Sequence, residues 1–282
     1  MANMSRMSWI SRWILKLTKF IDAGEMDGMK LEAAFDTVCH EYDKWRPGYP
    51  AALYKDIFAV KELGGSSRAL EIGCGTGQAT QPILETGCAL TAVEPGKHMA
   101  AFIAQKFHAW SNFMVQNMAF QDYDAPTDCF DLIYSASAFH WVPEETGYLR
   151  VLALLKSGGV FARFANHPQR NWQDALGKAV QRIYAVYLPG SSPGSYGEQD
   201  AKERAELAEK YGFINIGCKL YHRTRTFTAK EYVSLLGTYS DHIAMEERKR
   251  QAFFAEIQQV ILSFDNQITL YDTIDLELAR KP

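Results

Sequence analysis

The stretch Arg68–Thr80, "RALEIGCGTGQAT", runs from a short apolar segment into glycines at Gly73, Gly75 and Gly77. "RALEI" predicts a buried strand, the glycines a tight turn where a ligand lies against bare backbone, and the residues through Glu85 a helix. Glycine turns of this kind hold several unrelated cofactors, so spacing and charge have to separate them. A dinucleotide fingerprint, G-x-G-x-x-G, would put its third glycine at position 78. That position is Gln78, and the spacing is G-x-G-x-G.

Charge is the stronger discriminator. Glu71 lies at the carboxyl end of the strand, where ligands of open α/β sheets bind, and would repel a pyrophosphate at close range in a low-dielectric crevice. A cationic ligand would be attracted instead, and S-adenosylmethionine carries both an ammonium and a sulfonium. Glu94 ends the next predicted strand, "LTAVE", where a carboxylate accepts hydrogen bonds from both hydroxyls of a ribose. NAD-binding folds use the same device, so Glu94 indicates an adenosine-containing ligand without choosing between the two.

Working outward, the chain alternates. After "LTAVE" comes a helix over Lys97 to Lys106, then strands "FMVQ" (113–116) and "FDLIYSA" (130–136), a helix over Glu144 to Leu155, the turn "KSGG" and a strand "VFARFA" (160–165). Strand and helix alternation predicts an α/β fold, a mostly parallel sheet with helices on both faces. The pattern breaks over 166–212, where a helical stretch, the Pro/Gly/Ser loop at 189–197 and a charged helix are expected to form an inserted cap. Beyond it, "INIGCKLYHRTRTF" and "ITLYDTIDLELARK" are strand-like, separated by helices around 229–237 and 245–264.

Composition sets the frame. The chain has 282 residues, 47% hydrophobic and 22% charged, with a formal net charge of -3, which suits a globular protein with a sizeable core and disfavours nucleic acid as main partner. Five scattered cysteines show neither disulfide nor zinc spacing, so a cytoplasmic location and no metal are expected. No run of about 18 apolar residues exists to span a bilayer. Residues 1–30 read as an extension in which Trp9, Ile10, Trp13, Ile14, Leu17, Phe20 and Ile21 recur at helical spacing opposite Arg12, Lys16 and Lys19. This basic amphipathic helix is expected to pack on the domain at 31–282 or on a second copy, forming a homodimer. A membrane-surface or substrate-lid role for this helix, and a native start at Met29, are the alternatives.

"ALEIGCGTG", "VEPGKHM", "FDLIYSASAFHW" and "LKSGG" resemble the ordered motifs of the class I S-adenosylmethionine-dependent methyltransferases. "YDKWRPGYP" (42–50) and "GTYS" (237–240) resemble the small-molecule subgroup that includes trans-aconitate methyltransferases. The resemblance spans roughly 33–282. It implies a Rossmann-like seven-stranded sheet with an antiparallel last strand at 268–280. It also implies that Glu71, Gly73, Cys74, Gly75, Gly77, Glu94 and Pro95 bind S-adenosylmethionine, with S-adenosylhomocysteine as product. Met99 matches a position that packs on the adenine, Phe120 one whose backbone N–H meets an adenine nitrogen, and Ser135 one that lines the methionine moiety. Tyr42 and Arg46 match residues that close over the cofactor. Many relatives carry an acid just before the Phe120 position, where this chain has Ala119; Gln121, Asp122 or water would then meet the adenine amino group.

The acceptor is less legible. Enzymes that methylate amino groups of nucleic-acid bases place N/D-P-P-Y after the fourth strand, and here that place reads "SASAFHW". Methyl transfer is an in-line displacement that positioning and desolvation can drive, so a base is needed only if the acceptor starts protonated. His140, following the fourth strand, is the candidate base, since imidazole titrates near neutral pH. Arg163, His167, Arg170 and Trp172 after the fifth strand, with Arg223 and Arg225, would suit an anionic or carboxylate-bearing small molecule. The same groups could instead be paired with the acids of 198–209. Two other functions fit less well: an NAD(P)-dependent oxidoreductase, disfavoured by Gln78 and Glu71, and a non-catalytic cofactor-binding sensor or scaffold.

Overall fold

The computed structural model describes residues 35–191 and 195–282. The amphipathic extension, the alternative start at Met29 and dimerisation through that helix lie outside the described residues.

Seven strands form one sheet in the order β3-β2-β1-β4-β5-β7-β6. They are β1 (Arg68–Ile72), β2 (Ala89–Val93), β3 (Phe113–Gln116), β4 (Phe130–Ala136), β5 (Leu155–Arg170), β6 (Ile214–Phe227) and β7 (Ile268–Arg280). β1 pairs in parallel with β2 and β4, β2 with β3, and β4 with β5. β7 runs antiparallel to both β5 and β6. The helices are α1 (Cys39–Trp45), α2 (Ala51–Val60), α3 (Thr80–Leu84), α4 (Lys97–Lys106), α5 (Glu144–Leu154), α6 (Ala175–Tyr187), α7 (Glu198–Lys210), α8 (Ala229–Leu236), α9 (Ser240–Ile243) and α10 (Glu247–Leu262).

The strands alternate their faces, and this builds two cores. Ala69, Leu90, Ala92, Leu132 and Tyr134 pack with Ile57, Ile83 and Ile103 on one side of the sheet. Leu70, Ile72, Val93, Phe130 and Ile133 pack with Phe139, Tyr148 and Val151 on the other. A third core, Val180, Ile183, Tyr184, Tyr232, Leu235, Phe253 and Ile257, joins α6, α8 and α10 into a helical lobe. α8 opens with a reciprocal cap: Thr228 Oγ1 accepts from the Glu231 amide and the Glu231 carboxylate accepts from the Thr228 amide.

The strand order reverses at β1 and β4, and this leaves a crevice outside their carboxyl ends. The stretch 166–212 is shared between two places in the fold. Residues through Arg170 continue β5, six positions past Phe164, which pairs with Ala136 at the end of β4. α6 joins the helical lobe, while α7 lies on the sheet against β6 and β7.

Candidate active site

The loop after β1 is shaped by what its glycines leave out. Gly73 sits at φ +66, and a Cβ there would lie 2.5 Å from the Ala138 Cβ of the loop after β4. At Gly77, φ +87, the absent side chain makes room for Phe107 and Ile103, so this glycine serves the packing of α4. Gly75 at φ +54 faces Tyr42, Gln78 and Met99 at 3.8 to 3.9 Å, ordinary contact distances for a Cβ. Cys74 is buried in the first core.

Glu71 is 1% exposed, and its Oε2 accepts from Thr80 Oγ1 at 2.7 Å and from the Tyr134 hydroxyl at 2.8 Å. Its carboxylate therefore lies beneath the loop, tying β1, α3 and β4 together. Burial pushes its pKa up to about 7, with the nearby Glu94 charge adding to the rise. A cation above the loop would favour its ionised form.

Glu94 follows β2 and is 7% exposed. Its Oε2 accepts from the Gly75 amide at 2.8 Å and its Oε1 from the Gly96 amide at 2.9 Å, so the loops after β1 and β2 share one carboxylate. Each oxygen keeps a further acceptor position for a ribose hydroxyl. Burial raises its pKa, the two amides lower it, and Asp36 raises it again.

Asp36 is a residue that sequence reading missed. From a single 3-10 turn (Phe35–Thr37) its Oδ1 accepts from the Met99 amide at 2.8 Å, and its Oδ2 meets His98 Nδ1 at 2.8 Å. It thereby caps α4 from outside the helix, at amides that have no intrahelical acceptor. No short-range signal marks it, because cap and helix lie 63 residues apart.

The segment from α1 onward closes the crevice. Arg46 donates through Nε to Thr238 Oγ1 at 3.0 Å and through Nη2 to the Thr238 carbonyl at 2.6 Å. Its guanidinium lies 5.0 Å from the Tyr42 ring and 4.3 Å from the Tyr239 ring. Tyr49 and Ser137 hydroxyls meet at 2.8 Å, tying the same segment to the loop after β4. Tyr49, Thr238 and Ala138 lie inside the stretches "YDKWRPGYP", "GTYS" and "FDLIYSASAFHW", but none of the three was singled out as a site residue.

Met99 and Phe120 are buried, and Phe120 begins a 3-10 turn (Phe120–Asp122), so its amide has no acceptor within that turn. Ala119 and Pro95 stand beside these loops. Ser135 is 0% exposed, and its hydroxyl donates to the Ile72 carbonyl at 2.9 Å, which bridges β4 to the carboxyl end of β1.

A family model described as a methyltransferase domain matches residues 70–161. The chain is 26% identical over 229 residues to a malonyl-[acyl-carrier protein] O-methyltransferase from Paenibacillus sp. (strain JDR-2), covering 74% of this chain and 80% of that one. It is 23% identical over 233 residues to an uncharacterized methyltransferase of Schizosaccharomyces pombe, covering 80% and 86%. Among solved structures, phosphoethanolamine N-methyltransferase 2 of Haemonchus contortus with phosphomonomethylethanolamine and S-adenosylhomocysteine shares the fold at TM-score 0.55 and 14% identity, covering 99% and 76%. The chain belongs to the class I S-adenosylmethionine-dependent methyltransferases. It is an enzyme whose methyl donor is S-adenosylmethionine. The loops just described fit that donor: bare backbone at Gly73 and Gly75 would admit it, Glu94 has acceptor positions that would suit ribose hydroxyls, and the Glu71 carboxyl lies buried beneath.

The acceptor side of this methyltransferase is where the structure revises most. His140 is open to solvent yet has protein on most sides, as in the wall of a cleft, and its ring lies 4.9 Å from Trp141. Its dense surroundings, then the positive charges of Arg204, His167 and Arg163, hold its pKa below the usual imidazole range. The expectation that it titrates near neutrality is corrected accordingly: it is neutral at pH 7.

Most of the expected basic cluster is spent inside the fold. Arg163 Nε donates to Glu277 Oε2 at 2.5 Å, and Arg204 bridges Glu277 at 3.0 Å and Asp275 at 2.7 Å. His167 lies 3.4 Å from Asp275 and stacks on Tyr196 at 3.6 Å. Despite its burial, Asp275 is held well below the ordinary carboxylate range by Arg204 and His167. Arg223 and Arg225 both pair with Asp272, at 3.1 and 2.5 Å. The pairing acids come from β7, not from the charged helix at 198–209. Arg170 and Trp172 remain, with the guanidinium 4.2 Å from the Trp172 ring.

Proposed function

We propose that this methyltransferase acts on a small molecule bearing an anionic group, taken between the carboxyl ends of β4 and β5 and the helical lobe. One observation carries the reading. Arg46 with Thr238 and Tyr49 with Ser137 bind the segment after α1 to both sides of the crevice, so the acceptor enters a chamber walled by the chain itself. A small molecule suits such a chamber better than a nucleic acid or a folded protein. The relative named for a malonyl acceptor is consistent with a carboxylate-bearing one.

In this reading Glu94 takes the ribose hydroxyls, the Phe120 amide meets the adenine, Tyr42 and Arg46 close over the methionine end, and Glu71 acts as a buried counter-charge to the ammonium. Bound S-adenosylmethionine supplies an electrophilic methyl carbon whose leaving group is a neutral thioether. His140, neutral, accepts a hydrogen bond from the acceptor and orients its nucleophile, and water is excluded by Tyr49 and Tyr239. A cytoplasmic location and a homodimer built on the N-terminal helix belong to the same proposal. Among the described residues no helix is long and apolar enough to cross a membrane.

Release of S-adenosylhomocysteine across a panel of carboxylic acids, phenols and amines tests the reading. Turnover with a small acid supports it, and turnover confined to neutral acceptors or to macromolecules contradicts it.

A further inference from the structure

We propose that Arg170 is the anchor for the acceptor's anionic group, an assignment that rests on the anionic reading above. Five arginines stand on β5, α7 and β6. Four of them carry carboxylate partners: Arg163 and Arg204 on Glu277 and Asp275, Arg223 and Arg225 on Asp272. Arg170 is the exception of these five, with no carboxylate paired to it among the described residues. Its neighbours are the Tyr232 hydroxyl, the Tyr184 hydroxyl and ring, and the Trp172 ring. A partly buried cation without a counter-charge is disfavoured, and aromatic rings and phenols offset that only in part. An anion brought by a ligand completes the site.

The guanidinium is also held ready for one. The rings of Trp172 and Tyr184 lie 4.2 and 4.4 Å from its carbon and Nη1 donates to the Tyr232 hydroxyl, so the guanidinium is held in place, and a carboxylate would meet its remaining N–H donors in a two-pronged contact. Behind it runs a chain of hydrogen bonds. His242 Nδ1 meets Asp241 at 2.7 Å, and its Nε2 lies 3.1 Å from the Tyr184 hydroxyl. With the Nδ1 proton given to Asp241, Nε2 accepts from Tyr184, and the lone pairs of the Tyr184 oxygen turn to Arg170. Asp241, His242 and Tyr184 are positioning residues in this account.

Place in the fold points the same way. Arg170 ends the overhang of β5, paired with Leu270 of β7, and Tyr232 belongs to α8, which packs against α1. The anchor therefore lies where the overhang meets the helical lobe, under the segment that closes the crevice. It stands six positions along β5 from Phe164, about 20 Å at a strand's rise. The anionic group it takes is thus separate from the nucleophile at the end of β4, and the acceptor carries both.

The test uses the full chain saturated with S-adenosylhomocysteine and titrated calorimetrically with small dicarboxylates and tricarboxylates, each beside its monoamide. At least one carboxylate is expected to bind wild type about tenfold or more tighter than its amide, the scale of a charge-assisted pair. Arg170→Gln abolishes that preference while cofactor affinity, which reports a folded protein, stays within about twofold. Tyr184→Phe weakens it partway. A preference retained in Arg170→Gln overturns the anchor and leaves the anionic reading standing. Wild type that never prefers a carboxylate overturns both. Should Arg170→Gln not fold, Arg170→Lys decides: a loss of about tenfold supports the anchor and unchanged affinity overturns it.

Discussion

Gly73 and Ala138 approach so closely that a Cβ on Gly73 would lie 2.5 Å from the Ala138 methyl, a contact that joins the loops after β1 and β4. Gly73→Ala is therefore expected to lose both a left-handed backbone position and this contact. We predict destabilisation of about 2 to 4 kcal/mol and loss of measurable cofactor binding, read by chemical denaturation and calorimetry. Ala138→Gly should leave cofactor affinity within about threefold, because it opens space without straining backbone. Gly73→Ala binding the cofactor as wild type does would contradict the account of the loop.

The buried Glu71 makes stability depend on pH. Its folded pKa is raised from 4.5 to about 7, so its contribution is fully present below 4.5 and is lost as pH rises through 7. That loss is on the order of 3 kcal/mol. Glu71→Gln should flatten unfolding free energy between pH 5 and 8. In wild type, S-adenosylmethionine affinity should rise from pH 6 to 7.5 as the carboxylate ionises, and in the variant it should not. Parallel pH profiles for both proteins would exclude Glu71 as the counter-charge.

Glu94 holds two amides and is expected to hold two hydroxyls. Glu94→Ala should weaken S-adenosylhomocysteine binding about tenfold to a hundredfold, since it strands the Gly75 and Gly96 amides as well. Wild type should discriminate against a 2′-deoxy analogue of the cofactor, and the variant should not. Equal discrimination by both would remove Glu94 from the ribose.

With its pKa held below the usual range, His140 keeps one protonation state across the neutral region. The rate profile should show no inflection near 6.5. His140→Ala should lower kcat about tenfold to a hundredfold while cofactor affinity moves less than about threefold. Full turnover in that variant at saturating cofactor would end any catalytic part for His140.

Sequence patterning reached the strands whose neighbours are close along the chain. "RALEI" and "FDLIYSA" occupy the predicted positions because apolar residues on both faces mark a buried parallel strand. β5 was expected over 160–165 and runs to Arg170, since Asn166, His167, Pro168, Gln169 and Arg170 carry no apolar signal and are held by pairing with β7. Glu71 stood out as the lone acid in an apolar strand, but its direction depends on Tyr134, 63 residues away. The partner of Ser135 was hidden for a similar reason, being a carbonyl on the neighbouring strand, 63 residues away. The fate of Arg163 was invisible too, because its carboxylate lies 114 residues downstream. What the sequence alone could not give was direction: which way each polar side chain faces follows from strand pairing at long range.

The central claim is that the glycine loop and Glu94 hold S-adenosylmethionine for methyl transfer. Calorimetric titration of the purified chain with S-adenosylhomocysteine and, separately, with NAD tests it most directly. The account predicts saturable one-site binding of S-adenosylhomocysteine, displaced by S-adenosylmethionine, with no heat from NAD. Saturable NAD binding with no response to S-adenosylhomocysteine would contradict it.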